Sequence, residues 1–215
     1  MKLGVFDSGI GGEAVAKSLE RSFPDADIIR VDDHKNVPYG DKSQQEIQKL
    51  TDNAIQPLLS SDCDIIILAC NSATAAAIEF LRQKYPAQIF MGLEPMIKPA
   101  VELTRSGIIA ICATPSTLKS SRYYRLKEKF ANNTTVLEPD CSQWARLIEN
   151  SEINEKHISD VISPLIDVGA DVIVLACTHY HWINLEIAKL ADKKATVIQP
   201  SEAITRRVKQ LISLD

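Results

Sequence analysis

Short apolar runs alternate with longer amphipathic stretches along the whole chain. Lys2–Phe6, Asp27–Val31, Ile65–Ala69, Gln88–Met91, Ile108–Cys112, Thr134–Leu137, Val172–Ala176 and Thr196–Ile198 read as strands. Several are apolar at every position, as strands covered on both faces of a parallel sheet are. Ser43–Leu59 and Ser201–Leu211 carry helical periodicity between them. Ser43 followed by Glu46 forms a capping-box pattern, and Ser201 stands where an N-cap belongs. This alternation predicts an α/β fold of mostly parallel sheets flanked by helices, with sites at the carboxyl ends of strands.

The pattern also repeats. Asp64-Ile65-Ile66-Ile67-Leu68-Ala69-Cys70-Asn71 returns as Asp171-Val172-Ile173-Val174-Leu175-Ala176-Cys177-Thr178, in each case an acidic residue, a strand, a cysteine, a small polar residue and a helix. A fainter echo pairs Leu3–Ser8 with Ile108–Thr114. Two similar domains follow, facing each other across a cleft that holds the site. Residues 1–94 together with 201–215 are expected to form the first and 95–200 the second. The chain crosses at Leu93-Glu94-Pro95 and returns through its last helix.

Composition narrows the function. The 215 residues are 45% apolar and 24% charged, which excludes wholesale disorder. No apolar run approaches the ~20 residues of a membrane span, and MKLGVFDSG meets a charge too early for a signal peptide. A net charge of −4 without a basic cluster argues against nucleic acid or an anionic membrane as main partner. Five cysteines, none in a C-x-x-C pair, read as reduced thiols of a cytoplasmic protein.

Cys63, Cys112 and Cys141 fit buried structural positions, since cysteine is a small hydrophobe. Cys70 and Cys177 differ because each ends a strand where a helix starts, and a helix N-terminus favours a thiolate. Two equivalent thiols on two halves suit the removal of a proton from one face of a substrate and delivery of another to the opposite face. Duplication alone would also suit a binding protein. His179 follows Cys177 closely enough to share its proton, or is a hydrogen-bonded structural residue; His181 favours the structural role. Two histidines at i and i+2 are poorly spaced for a metal on a helix, so no metal site is expected. Asp7-Ser8-Gly9-Ile10-Gly11-Gly12 reads as an anion-binding turn but fits neither nucleotide fingerprint. Asp7 is either an N-cap or a carboxylate beside Cys70. The hydroxyls of Thr114-Pro115-Ser116-Thr117 either bind a carboxylate or cap a helix. Glu149 on its own fits a solvated surface.

Taken together, Gly4–Gly12, Val37-Pro38-Tyr39-Gly40-Asp41-Lys42-Ser43, Ala69-Cys70-Asn71-Ser72-Ala73, Leu93-Glu94-Pro95, Ala113–Thr117 and Cys177-Thr178-His179-Tyr180 resemble the glutamate racemase family of the cofactor-independent aspartate/glutamate racemases. A weaker match runs from Cys141 to Glu149. The resemblance implies racemisation of an amino acid between two domains, with glutamate as substrate and no cofactor, in a cytoplasmic enzyme that supplies D-glutamate for peptidoglycan. It places Cys70 and Cys177 as the two catalytic thiols, Asp7 and His179 as their proton-handling neighbours, and Glu149 near the second. Ser8, Tyr39, Gly40, Asn71, Ser72, Thr117 and Thr178 match positions that hold the amino acid. A homodimer is compatible with it. Ser72 replaces the family's usual threonine, His181-Trp182 its proline-leucine, Ser142 a proline and Glu13 an apolar residue, and the chain is shorter than many members at its C-terminus. Aspartate or another amino acid as substrate, or a catalytically silent amino-acid-binding protein, are the alternatives.

Overall fold

The computed structural model describes residues 1–212; Ser213–Asp215 and the side chains of Ser201, Glu202 and Ile212 lie outside it, so the expected N-cap at Ser201 falls outside the described residues. The strands are β1 (Lys2–Asp7), β2 (Asp27–Asp32), β3 (Ile65–Leu68), β4 (Ile89–Gly92), β5 (Ile108–Cys112), β6 (Thr135–Leu137), β7 (Val172–Leu175) and β8 (Thr196–Ile198). The helices are α1 (Gly12–Ser22), α2 (Gln44–Ala54), α3 (Gln56–Ser60), α4 (Asn71–Lys84), α5 (Ile97–Leu103), α6 (Pro115–Leu118), α7 (Ser121–Phe130), α8 (Trp144–Glu149), α9 (Glu155–Asp167), α10 (Asn184–Ala191) and α11 (Ser201–Ile212). All eight predicted strands form, within a residue or so at their ends.

They build two four-stranded sheets, β2-β1-β3-β4 and β6-β5-β7-β8, with every pairing parallel. The orders are the same once β1–β4 are matched to β5–β8, which gives both sequence echoes a structural meaning: β3 matches β7 and β1 matches β5. All four residues of β3, and likewise of β7, are buried, and each such aliphatic side chain contributes about 1.5–3 kcal/mol on leaving water. The repeated acidic residue has a local task as well. Asp64 accepts the Lys2 N–H at 2.7 Å, and Asp171 accepts the N–H groups of Arg105 and Ser106 at 2.7 and 2.8 Å. Each ties down the chain entering the neighbouring strand.

Two local readings need correction. The predicted helix Ser43–Leu59 is two helices that break at Ile55, because Pro57 has no N–H and its ring crowds the preceding turn. Its start is as expected, with Ser43 Oγ accepting the Glu46 N–H at 3.3 Å. The helix expected directly after Cys177 is instead a 3-10 turn, Thr178–Ile183, and α10 begins only after it. At the crossing, Met96 holds a left-handed conformation (φ 48°) just before α5. Ile97 and Ala100 of α5 pack on Ile109, Ile111, Val172 and Val174 of the second sheet, whereas Ile204 and Val208 of α11 pack on Leu3, Val5, Val15 and Leu19 of the first half. Among the described residues no helix is long and apolar enough to cross a membrane.

Candidate active site

The carboxyl ends of β1 and β3 in one sheet meet those of β5 and β7 in the other. Cys70 follows β3 and is the N-cap of α4: its Sγ accepts the Ala73 N–H at 3.4 Å and lies 3.3 Å from Ser8 Oγ. Cys177 follows β7 and opens the 3-10 turn, with Sγ 3.7 Å from His179 Nδ1. Both sulfurs are buried, Cys70 at 6% and Cys177 at 8% exposure.

Their surroundings bind the two halves together. Asp7, fully buried at the end of β1, accepts the Gly9 N–H through Oδ1 at 2.9 Å and the Thr178 hydroxyl through Oδ2 at 2.8 Å. In the opposite direction, Glu149 Oε1 at the end of α8 accepts the Ile10 N–H at 2.9 Å and the His179 Nε2–H at 2.5 Å. The glycine-rich turn therefore does bind anions, but they are carboxylates of this chain. Asp7 is not a helix cap, since α1 starts only at Gly12. Glu149 belongs to the site rather than to a solvated surface. The glycines allow this docking: a Cβ on Gly9 would collide with Glu149 Oε1, and one on Gly11 would sit 2.5 Å from Thr178 Cβ.

Burial sets the electrostatics. It pushes the Cys70 thiol up to about 12, helped by the Asp7 charge, and the Ser8 and Ala73 hydrogen bonds offset only part of this. The thiolate expected there from the helix N-terminus alone is thus overruled by desolvation. Burial also raises Asp7 to about 6 against the pull of His179 and the hydrogen bonds of Gly9 and Thr178. At His179 burial opposes the charge, but the bonds to Cys177 and Glu149 outweigh it and hold the imidazolium well above its ordinary range. Glu149 is held below the usual carboxylate value: burial works against its charge and the His179 and Ile10 donors prevail.

The remaining predicted residues form a polar wall. Ser72 Oγ and Thr114 Oγ1 meet at 2.8 Å, and Thr114 donates to Thr117 Oγ1 at 3.1 Å, so the hydroxyls of the Thr114–Thr117 segment link α4 to α6 instead of capping α6 with a side chain. Gly40 packs against Thr114, where a Cβ would fall 2.8 Å from Thr114 Cβ. Tyr39, buried beside Phe6, donates to Asp33 Oδ2 at 2.7 Å, and Asn36 holds the same carboxylate at 2.9 and 3.0 Å. Both polar atoms of the Asn71 side chain are buried without a partner. Outside the site, Cys63, Cys112 and Cys141 are buried as expected, and His181 bonds Gln199 at the surface. Among the described residues no group of three or more His, Cys, Asp or Glu is placed to hold a metal ion. Sequence reasoning missed Asp33 and the docking role of Gly9 and Gly11.

Residues 11–208 match the family model of the Asp/Glu/Hydantoin racemases. The glutamate racemase of Aliarcobacter butzleri is 39% identical over 98% of this chain and 84% of its own length. The crystal structure of Escherichia coli glutamate racemase in complex with L-glutamate and the activator UDP-MurNAc-Ala superposes with a TM-score of 0.89 at 27% identity, covering 99% of this chain and 82% of that one. Glutamate racemase from Francisella tularensis in complex with D-glutamate gives 0.84 at 30%, covering 98% and 80%. The two matched sheets, the paired strand-end thiols and the extent of these similarities place the chain in the glutamate racemase family.

Proposed function

We propose that the protein interconverts L- and D-glutamate by passing protons between Cys70, Cys177 and opposite faces of the substrate α-carbon. The observation that carries this reading is that two equivalent strand ends present two buried thiols to one site, with the Asp7 charge acting on Cys70 and His179 lying 3.7 Å from Cys177. Cys70 works with Asp7 and Cys177 with His179, which Glu149 orients and keeps charged. One thiolate takes the α-hydrogen as a proton and becomes a thiol, leaving the electron pair on the substrate. The other thiol then protonates that carbon from the opposite face and becomes a thiolate. The resting Cys70 is the thiol, the form that donates, and Asp7 is placed to take its proton when the reaction runs the other way.

The unpartnered Asn71 amide, the hydroxyls of Ser8, Ser72, Thr117 and Thr178, and the Tyr39-Gly40 turn supply the contacts that hold the amino acid. Their dipoles, on buried residues, stabilise the developing carbanion. The two units 1–94 with 201–215 and 95–200 would separate to admit substrate, a reading supported by the packing of α5 and α11 on different sheets. Supply of D-glutamate for peptidoglycan in the cytoplasm, by a homodimer, completes it. The test is proton NMR of L-glutamate and, in parallel, L-aspartate in D2O with purified protein. Loss of the glutamate α-proton as D-glutamate appears is expected; exchange confined to aspartate overturns the substrate, and silence on both overturns the enzyme.

A further inference from the structure

A second carboxylate stands behind the first. β1 and β2 are parallel and in a register that sets Asp32 beside Asp7, and register partners of parallel strands point to the same face of the sheet. Both acids flank Gly12: a Cβ there would lie 2.7 Å from Asp7 Cβ and 3.1 Å from Asp32 Oδ1. Asp32 is only 9% exposed at its side chain; Oδ2 pairs with Arg30 Nε at 2.9 Å and faces His34 Nε2 at 3.7 Å. Oδ1 is buried with no partner. Arg30 on its own strand, His34 on the following loop, Glu13 from α1, Glu149 from α8 and Asp7 from β1 are the charged and titratable groups that face it. A carboxylate with one uncompensated oxygen in that position is costly in isolation, and nothing in the substrate-holding wall uses it.

We propose that Asp32 is a positioning residue that tunes the proton affinity of Asp7, and through it the pH at which the Cys70 side of the site works. The inference rests on the reading of Asp7 as the proton partner of Cys70. Two carboxylates that share a buried site hold each other's protons more tightly than either would alone. Burial is the main cause of the raised Asp7 value, and the Asp32 charge acts in the same direction. Arg30 moderates the effect by neutralising one oxygen of Asp32, so the two residues act on Asp7 in opposite directions. The balance keeps Asp7 able to accept a proton from a thiol and to return it near neutrality, which a carboxylate at the ordinary value does poorly.

These opposed charges supply the test. Asp32→Asn removes the charge with little change of shape, and Arg30→Gln removes the main counter-charge of Asp32. Carbon-13 NMR of aspartate carboxyl groups in the whole protein, with the Asp7 signal assigned by its loss in Asp7→Asn, follows the titration without any substrate. Asp32→Asn is expected to lower the Asp7 titration, and with it the acid limb of kcat/KM, by about half to one pH unit. Arg30→Gln is expected to raise both, and the double variant to follow Asp32→Asn. A merely structural role would reduce activity without moving these values in opposite directions. An Asp7 titration unmoved by Asp32→Asn, or moved the same way by both variants, overturns the proposal. A moved titration in a protein that does not racemise glutamate upholds the coupling and overturns the racemase reading instead.

Discussion

The Cys70 and Cys177 ends of the site share a strand position, a burial and a preceding sequence, yet they are electrostatically opposite. Cys70 caps a long helix whose first turns, Asn71-Ser72-Ala73-Thr74-Ala75-Ala76-Ala77, are small and alanine-rich. Cys177 opens a 3-10 turn of bulky residues, Thr178-His179-Tyr180-His181-Trp182-Ile183, which brings a histidine back toward the sulfur. The first thiol therefore stands beside a carboxylate whose charge adds to the burial that pushes it up to about 12, while the second stands beside a histidine whose hydrogen bonds favour its charged form. Duplication explains where the thiols are. The residues after each strand decide what each one does, and the two unlike ends can serve opposite proton transfers within one turnover.

The two ends are also coupled by crossed contacts, and the variant expected to do most damage breaks one of them. Gly9→Ala would drive a methyl group into Glu149 and His179, so activity should fall at least ~100-fold with a loss of about 1–3 kcal/mol in stability. Denaturant unfolding and initial rates check both numbers, and near-wild-type values would break the docking account.

Asp7 and Glu149 sharpen the comparison through stability. Asp7 is raised from 3.8 to about 6 in the folded protein, so its ionisation opposes folding, increasingly so as pH rises from about 4 through 6. Asp7→Asn should leave stability near pH 4 almost unchanged and add about 1–3 kcal/mol at pH 8, while abolishing most activity. Glu149 is lowered, so it stabilises above the ordinary carboxylate value, and that contribution is lost as pH falls through its depressed one. Glu149→Gln should destabilise at neutral pH. Urea denaturation at pH 4 and 8 separates the two, and equal signs at pH 8 would contradict the contrast.

The smallest expected effect is at Ser8, whose hydroxyl lies 3.3 Å from Cys70 and works against burial there. Ser8→Ala leaves the sulfur with the Ala73 N–H alone and should slow racemisation about tenfold, the equivalent of one net hydrogen bond. Initial rates from both enantiomers measure it.

Much of this was legible before the structure. β3 and β7 announce themselves as uniformly apolar runs, and their repeated acid–strand–cysteine pattern places both thiols at sheet ends. The Ile55 break was missed, although Pro57 in the first turn of α3 carries its signal. What could not be read were contacts that close only when the halves meet: the Ile10 N–H on Glu149, the Thr178 hydroxyl on Asp7, and the glycines that make room for both. Residues 139 and 171 positions apart carry no local signal. The Cys70 proton affinity was misjudged for a related reason. A helix N-terminus is visible in sequence, whereas the desolvation that overrides it is a property of the assembled site.

The central claim is that each face of the α-carbon has its own thiol. It is tested most directly by running the reaction in D2O from L-glutamate and, separately, from D-glutamate, and analysing both enantiomers at low conversion. The account predicts solvent deuterium at Cα of the product and protium in the recovered substrate, whichever enantiomer is supplied. Substrate hydrogen returned to the product, or substrate exchanging as fast as product forms, would show one base serving both faces and contradict it.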